Sequence, residues 1–264
     1  MNRRLNHARL RIPAFLLFAL LFLCLTQGCA QPGLRIYFVR HAEAGHNVLA
    51  QWKDKPKSTW PPYVGNANMF SPKGDAQAAT LVDKLKGIHF DLIAACPYWR
   101  TRHTILPYLQ ATGQKAELWP ELEETGPVPP QYTAAGIQPP PPNPRLFDGV
   151  NDFKLPDDEK TYFSFLPNDK KFLEYKDPNN QIAIGNALAL SQKVIAMVKA
   201  RTNNAPKSVL LVGHGDAGST LLRTLTTSKT LTPNIANASL WMAEEQPNGT
   251  FKLKILNDKP YPGK

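Results

Sequence analysis

Two short runs constrain the fold of this chain more tightly than anything else in it. Residues 36–39 read Ile-Tyr-Phe-Val and residues 209–212 read Val-Leu-Leu-Val. Neither alternates apolar with polar residues, so each reads as a strand buried on both faces of a sheet. The first ends, with no turn residue between, in Arg40 and His41. The second ends in Gly213, His214 and Gly215. Core strands that deliver a guanidinium and imidazoles to one edge of a sheet imply a ligand at that edge.

The segments between supply the rest of an architecture. Residues 90–96 (FDLIAAC) read as another buried strand and residues 116–119 (AELW) as a short one. Ser71 caps a helix with Pro72 at its first position, Ala76, Ala79, Leu81, Val82 and Leu85 on its apolar face, and Gly87 at its end. Residues 100–110 predict a helix that stops by Gly113, with Pro107 expected to loosen or kink it. Ile184, Leu188, Ser191, Val194, Ile195 and Val198 predict a helix ending before Pro206; another is expected over residues 217–227, then strands near 239–243 and 251–256. Strands alternating with helices predict an α/β fold, a three-layer sandwich with a mostly parallel sheet and helices on both faces.

Residues 51–73, with Trp52, Trp60, Pro61, Pro62 and Gly65, read as loop. Residues 126–178 hold 11 of the 25 prolines, too many for a regular helix or a central strand. Their aromatic residues, among them Phe163 and Phe165, argue against disorder. This stretch reads as an ordered insertion or lid within a single domain spanning residues 29–264.

At the N-terminus, Arg3, Arg4, Arg9 and Arg11 precede a 12-residue apolar core at residues 14–25. A bilayer crossing takes about 20 residues, so residues 1–28 read as a secretory signal peptide. Two cleavage points fit. LTQGC, residues 25–29, resembles a bacterial lipobox and would place a lipid on Cys29; cutting after Ala30 is the alternative. Either route predicts export, to the periplasm or as an outer-membrane lipoprotein, with secretion the second choice. Only Cys96 lies in the body of the chain, so neither an internal disulfide nor a zinc–thiolate site is expected. Without residues 1–28 the net charge falls from +10 to about +6, spread along the chain without a Lys/Arg run. That favours anionic small molecules or an anionic envelope surface over nucleic acid.

Ligands of open α/β sheets bind beyond the carboxyl ends of the strands. Three strand ends bring polar groups there: Arg40 and His41; Arg100, in the helix start within CPYWRTRHT (96–104); and His214 with Gly215 before a helix N-terminus. Guanidinium forks and a helix start suit a phosphoryl group. His46 and His103 read as ordinary polar side chains, and Asn47 as either a helix cap or a member of the site.

The ordered set of motifs resembles the histidine phosphatase superfamily, in the branch with phosphoglycerate-mutase-like members. Arg40-His41 with Asn47 looks like that family's opening motif, and FSPKGDAQA (70–78) like its Leu-Thr-x-x-Gly-x-x-Gln-Ala segment. CPYWRTRHT resembles its Ser-Pro-x-x-Arg-x-x-x-Thr segment, with Arg100 and Thr104 in register. LEE (122–124) looks like the segment that supplies the acid, and VGHG (212–215) like the closing histidine motif. Ala42 stands where the family has glycine, Ala44 where a hydroxyl residue is common, and Cys96 where serine is usual. The phytase-like branch fits poorly, because Arg-x-x-Pro is missing after His41 and His-Asp at His214.

The resemblance implies covalent chemistry. His41 would attack phosphorus to give a phosphohistidine that water cleaves, while Arg40, Arg100 and His214 hold the equatorial oxygens and Asn47 and Gly215 complete the binding set. Glu124 would protonate the leaving oxygen, with Glu123 taking its place under a one-residue shift. No metal or other cofactor is expected, since the cationic side chains supply the electrostatics. The expected substrate is a phosphorylated small molecule or an envelope glycan phosphate, with no nucleic acid and with membrane association only through a lipid on Cys29. The competing readings are a phosphoglycerate-mutase-like phosphotransferase, a non-catalytic phospho-ligand-binding envelope lipoprotein, and a metallohydrolase built on His41, His46, His214 and Asp216.

Overall fold

A computed structural model of the chain describes residues 33–124, 131–133, 136–138, 155–165, 187–203, 205, 207–228, 231 and 233–262. The expected signal segment 1–28, the two cleavage points and much of the stretch 126–178 lie outside them. The strands are β1 (Arg35–Arg40), β2 (Leu92–Ala95), β3 (Ala116–Leu118), β4 (Gln131–Thr133), β5 (Gly136–Gln138), β6 (Phe163–Phe165), β7 (Ser208–Gly213), β8 (Leu240–Glu245), β9 (Phe251–Leu256) and β10 (Lys259–Pro260). The helices are α1 (Gly45–Val48), α2 (Pro72–Lys84), α3 (Trp99–Thr112), α4 (Ala187–Thr202) and α5 (Gly215–Thr226).

Eight strands form one sheet in the order β10-β9-β8-β1-β7-β2-β3-β6, and β4 pairs with β5 in a separate antiparallel hairpin. The sheet is parallel from β1 through β7, β2 and β3 to β6, and antiparallel from β1 through β8 and β9 to β10. The parallel sheet expected from the sequence therefore carries an antiparallel flank. The cause is local. Residues 246–250 are too few for a crossover between β8 and β9, and Gly249 takes the left-handed turn there at φ +79°.

Both faces of β1 are buried, as the run without alternation requires. Ile36 and Phe38 join a core with Val194 and Val198 of α4 and Leu221, Leu222 and Leu225 of α5. Tyr37 and Val39 join the opposite core with Leu81 and Leu85 beside α2 and Ile105, Tyr108 and Leu109 of α3. Phe38 stacks on Trp241 with ring centroids 5.3 Å apart. Helix α5 comes so close to β1 that a Cβ on Gly218 would lie 2.3 Å from Phe38 Cε1. Glycine is what allows that approach.

Two expectations shift on inspection. Helix α3 runs unbroken through Pro107, because proline removes only one ladder bond, the one to the His103 carbonyl, and the helix has buried residues on both sides of it to hold it. Helix α5 starts at Gly215, with His214 extended at the cap (φ −118°, ψ 165°). The described part of the proline-rich stretch is not detached from the domain: its β6 is the outer strand of the main sheet, parallel to β3.

Candidate active site

Register assembles the site. β1 and β7 pair in parallel with Arg40 opposite Gly213, so the next residue on each strand, His41 and His214, leave the sheet side by side. Their ring centroids are 5.2 Å apart. β2 ends one strand further on; the Cys96 amide donates to the Val212 carbonyl at 2.9 Å, and the chain turns through Pro97 and Tyr98 into α3, which carries Arg100 in its first turn. His41 and His214 are 1% and 0% exposed, and Arg100 is 8% exposed. Four of the residues expected at the site thus share one sheet edge.

Each ring has a defined tautomer. His41 Nδ1 lies 2.8 Å from the Ala42 carbonyl, an acceptor only, so Nδ1 carries the proton and Nε2 the lone pair. Burial, then the charge of Arg100, holds the His41 pKa well below the usual histidine value, although the bond to Ala42 works the other way. Arg100 Nη2 donates to His214 Nδ1 at 3.2 Å, so the His214 proton sits on Nε2, which faces Cys96 Sγ at 3.4 Å. Burial and Arg100 also keep His214 neutral. The Cys96 thiol, fully buried, has its pKa pushed up by that burial. It is a packing partner for His214, in a place where the sequence motif has a hydroxyl.

Arg40 Nη1 donates to the Ile235 carbonyl at 2.6 Å. Gly215 stands against this guanidinium: a Cβ there would be 3.2 Å from Arg40 Cζ. Arg100 lies over the Tyr98 ring, 4.6 Å from its centroid. Among the described residues, neither Arg40 Nε nor Arg100 Nε has a hydrogen-bond partner, although both atoms are buried. Buried guanidinium donors left over in this way fit an oxyanion.

Glu124 and Glu123 separate in space. Glu124 Oε2 lies 3.7 Å from His214 Nδ1, and its side chain is 34% exposed. It also lines a cavity of about 350 Å³ with Arg40, Gly215, Asp216, Ser219 and Arg223. Glu123 is 2% exposed. Asn47 Oδ1 accepts from the Ala44 amide at 3.0 Å and from Asn237 Nδ2 at 3.4 Å, which turns Nδ2 toward His46 Nε2 at 3.1 Å. One of the two Nδ2 protons is used there.

Several partners have no signature in the sequence. Asn237 Nδ2 donates to the His41 carbonyl at 3.0 Å. Thr104 Oγ1 accepts from the Ala42 amide at 2.7 Å and donates to the Arg100 carbonyl at 2.6 Å, linking the loop after β1 to the start of α3. His103 lies away from the catalytic rings, stacked on Trp99 at 4.2 Å and 3.1 Å from Glu159 Oε1. Among the described residues, no three His, Cys, Asp or Glu side chains gather as a metal-ion site, and no helix is long and apolar enough to cross a membrane.

The family model described as histidine phosphatase superfamily (branch 1) matches residues 36–131, the span that carries β1, Arg40, His41, Arg100 and Glu124. Over residues 36–131 the chain is similar to that superfamily. That match supports a phosphatase enzyme. No curated protein matches its sequence. Among solved structures it is similar to a candidate alpha-ribazole-5'-P phosphatase from Escherichia coli, with a TM-score of 0.52 and 16% identity over 88% of this chain and 100% of that one. It is also similar to a mutant phosphoserine phosphatase from Entamoeba histolytica in complex with phosphoserine, with a TM-score of 0.51 and 17% identity over 85% of this chain and 96% of that one. A complex of phosphoserine phosphatase from the same organism with 3-phosphoglyceric acid gives 0.50 and 18% over the same shares. At these identities the likeness establishes the fold of this chain.

Proposed function

We propose that this phosphatase hydrolyses phosphomonoesters through a phosphohistidine on His41, outside the cytoplasm and without a metal. The observation that carries the reading is the His41 tautomer: the Ala42 carbonyl holds the proton on Nδ1 and leaves the lone pair on Nε2. In the first step Nε2 bonds to phosphorus as the bond from phosphorus to the ester oxygen breaks, and Glu124 gives its proton to the departing alkoxide. In the second, water attacks phosphorus, the P–N bond breaks with its electron pair returning to Nε2, and Glu124 takes the water's proton. Inorganic phosphate leaves and the enzyme is restored.

Arg40 and Arg100 supply the positive charge that balances the phosphoryl oxygens throughout, which is the support for a reaction without a metal. An arriving phosphoryl group would draw Arg100 Nη2 from His214. Its negative charge then favours a proton on the freed His214 Nδ1, making that atom a donor. The open cavity beside Arg40 and Glu124 is where the leaving group would lie.

Export rests on the basic and apolar segment at residues 1–28. The substrate class is a phosphorylated small molecule, in keeping with the phosphoserine and 3-phosphoglyceric acid held by the Entamoeba histolytica protein. For an exported chain, a glycan phosphate of the envelope is the more specific reading.

The test is phosphate release by the full chain from an aryl phosphate with EDTA present. Turnover that survives the chelator supports the reading, and turnover abolished by it would replace the mechanism with a metal-dependent one. Glu124→Gln sharpens the assignment of the acid. It should lower kcat/KM, which reports the first step, by roughly 10²- to 10⁴-fold for an alkyl phosphate, yet scarcely change it for a nitrophenyl phosphate, whose leaving group needs no proton. An equal loss of kcat/KM on both substrates would remove Glu124 from the role of acid.

A further inference from the structure

We propose that His46 is a further phosphoryl-binding residue, donating its Nδ1–H to the group held between His41 and the two arginines. The inference rests on the reading that His41 receives phosphorus, and it begins with an amide. Asn47 Oδ1 already accepts from the Ala44 amide and from Asn237 Nδ2, at 3.0 and 3.4 Å, so the amide cannot be turned the other way without losing both bonds. Asn47 Nδ2 therefore faces His46 Nε2 as a donor, at 3.1 Å. A ring nitrogen that accepts carries no proton, so in neutral His46 the proton is on Nδ1.

That Nδ1–H is buried and has no hydrogen-bond partner among the described residues. Its ring lies 5.4 Å, centroid to centroid, from the ring of His41. Burial, then Arg100 and Arg40, lowers the pKa of His46 to about 4, so the ring stays neutral at working pH and both guanidinium groups lie within electrostatic reach. An unpaired buried donor is costly. Three of them, on Arg40, Arg100 and His46, belong to residues that surround one nucleophile. An oxyanion would satisfy all three. The Asn47 amide then has a further job: it fixes the tautomer of the residue beside it.

Isosteric replacements separate this role from packing. In His46→Asn the side-chain amide sits where Nδ1 was and can still donate. In His46→Gln the amide sits at the Nε2 position, and His46→Phe keeps the ring volume with no donor. The probes are inorganic orthophosphate, as a competitive inhibitor, and kcat/KM on an aryl phosphate. His46→Phe and His46→Gln should each weaken orthophosphate and lower kcat/KM by roughly 10- to 100-fold, while His46→Asn stays within about threefold of wild type. The melting temperature of each variant is read alongside. Full activity in His46→Phe would overturn the inference, as would equal losses in all three variants. A wild-type chain with no turnover on any phosphomonoester would instead sink the phosphatase reading itself.

Discussion

His41→Ala should abolish turnover, with a loss of at least about 10⁴-fold in kcat, while the protein stays folded. The residue is 1% exposed. Its imidazole makes one backbone hydrogen bond, to Ala42, so removing it costs a small cavity and little else in structure. The decisive measurement uses a substrate labelled with ³²P, a rapid quench in alkaline denaturant, where phosphohistidine survives, and detection of label on the chain. Wild type should carry label and His41→Ala none. Label that persists in the variant would move the nucleophile elsewhere. The pH profile is a second check. A depressed pKa means that the ring is already unprotonated well below the usual histidine range. No acidic limb from His41 should therefore appear near pH ~6.5, where an exposed imidazole would lose its nucleophile to protonation.

The largest effect on stability is expected at Glu159, which is 2% exposed. Arg102, 3% exposed, donates from Nε at 2.5 Å and from Nη2 at 3.1 Å to its two carboxylate oxygens, and its Nη1 reaches the Pro97 carbonyl. Glu159→Ala would take the bidentate carboxylate from a buried guanidinium, at a cost of about 3–5 kcal/mol. The double variant Arg102→Met, Glu159→Leu should recover most of that, because a buried pair replaced by apolar groups is often neutral. Denaturant unfolding of both variants tests the argument; a single variant as stable as wild type would refute it. Burial alone would raise the Glu159 pKa, but the bonds from His103 and Arg102 win and take it down to about 2. A depressed carboxylate stabilises the fold above its unfolded pKa, near 4.5, and that contribution is lost as pH falls toward 2. Acid unfolding of the wild type should lie in that window and be blunted in the double variant.

The legible part of this protein was its sheet edge. The unalternating runs in β1 and β7 announce buried parallel strands, and parallel pairing in register is enough to bring His41 beside His214. Arg100 was legible for a related reason, since a helix following a strand starts at the same edge. The contacts that tune the site were not. Arg102 reads as one more helical cation, a residue type seldom buried, and its partner lies 57 positions away in a stretch whose prolines advertise only irregularity. Spacing carries no information about such a pairing. His46 was passed over because a histidine in a polar loop is ordinary, and its importance depends on a tautomer set by the orientation of the neighbouring amide. The edge strand β6 was hidden for want of length: with its 3 residues it has no periodicity to detect.

Thr104 has a consequence that reaches past hydrogen-bond counting. Its hydroxyl oxygen accepts from the amide that follows His41 and donates to the carbonyl of Arg100. A single atom therefore sets the gap between the element that carries His41, proposed to attack phosphorus, and the element that carries Arg100, proposed to grip its oxygens. The gauge is built into the protein before any substrate arrives, and it is short and fully buried. A leaving group can be exchanged by reshaping the open cavity on the other side of Arg40 without touching that gauge. Within this fold, the choice of what to dephosphorylate and the ability to dephosphorylate at all are separately adjustable.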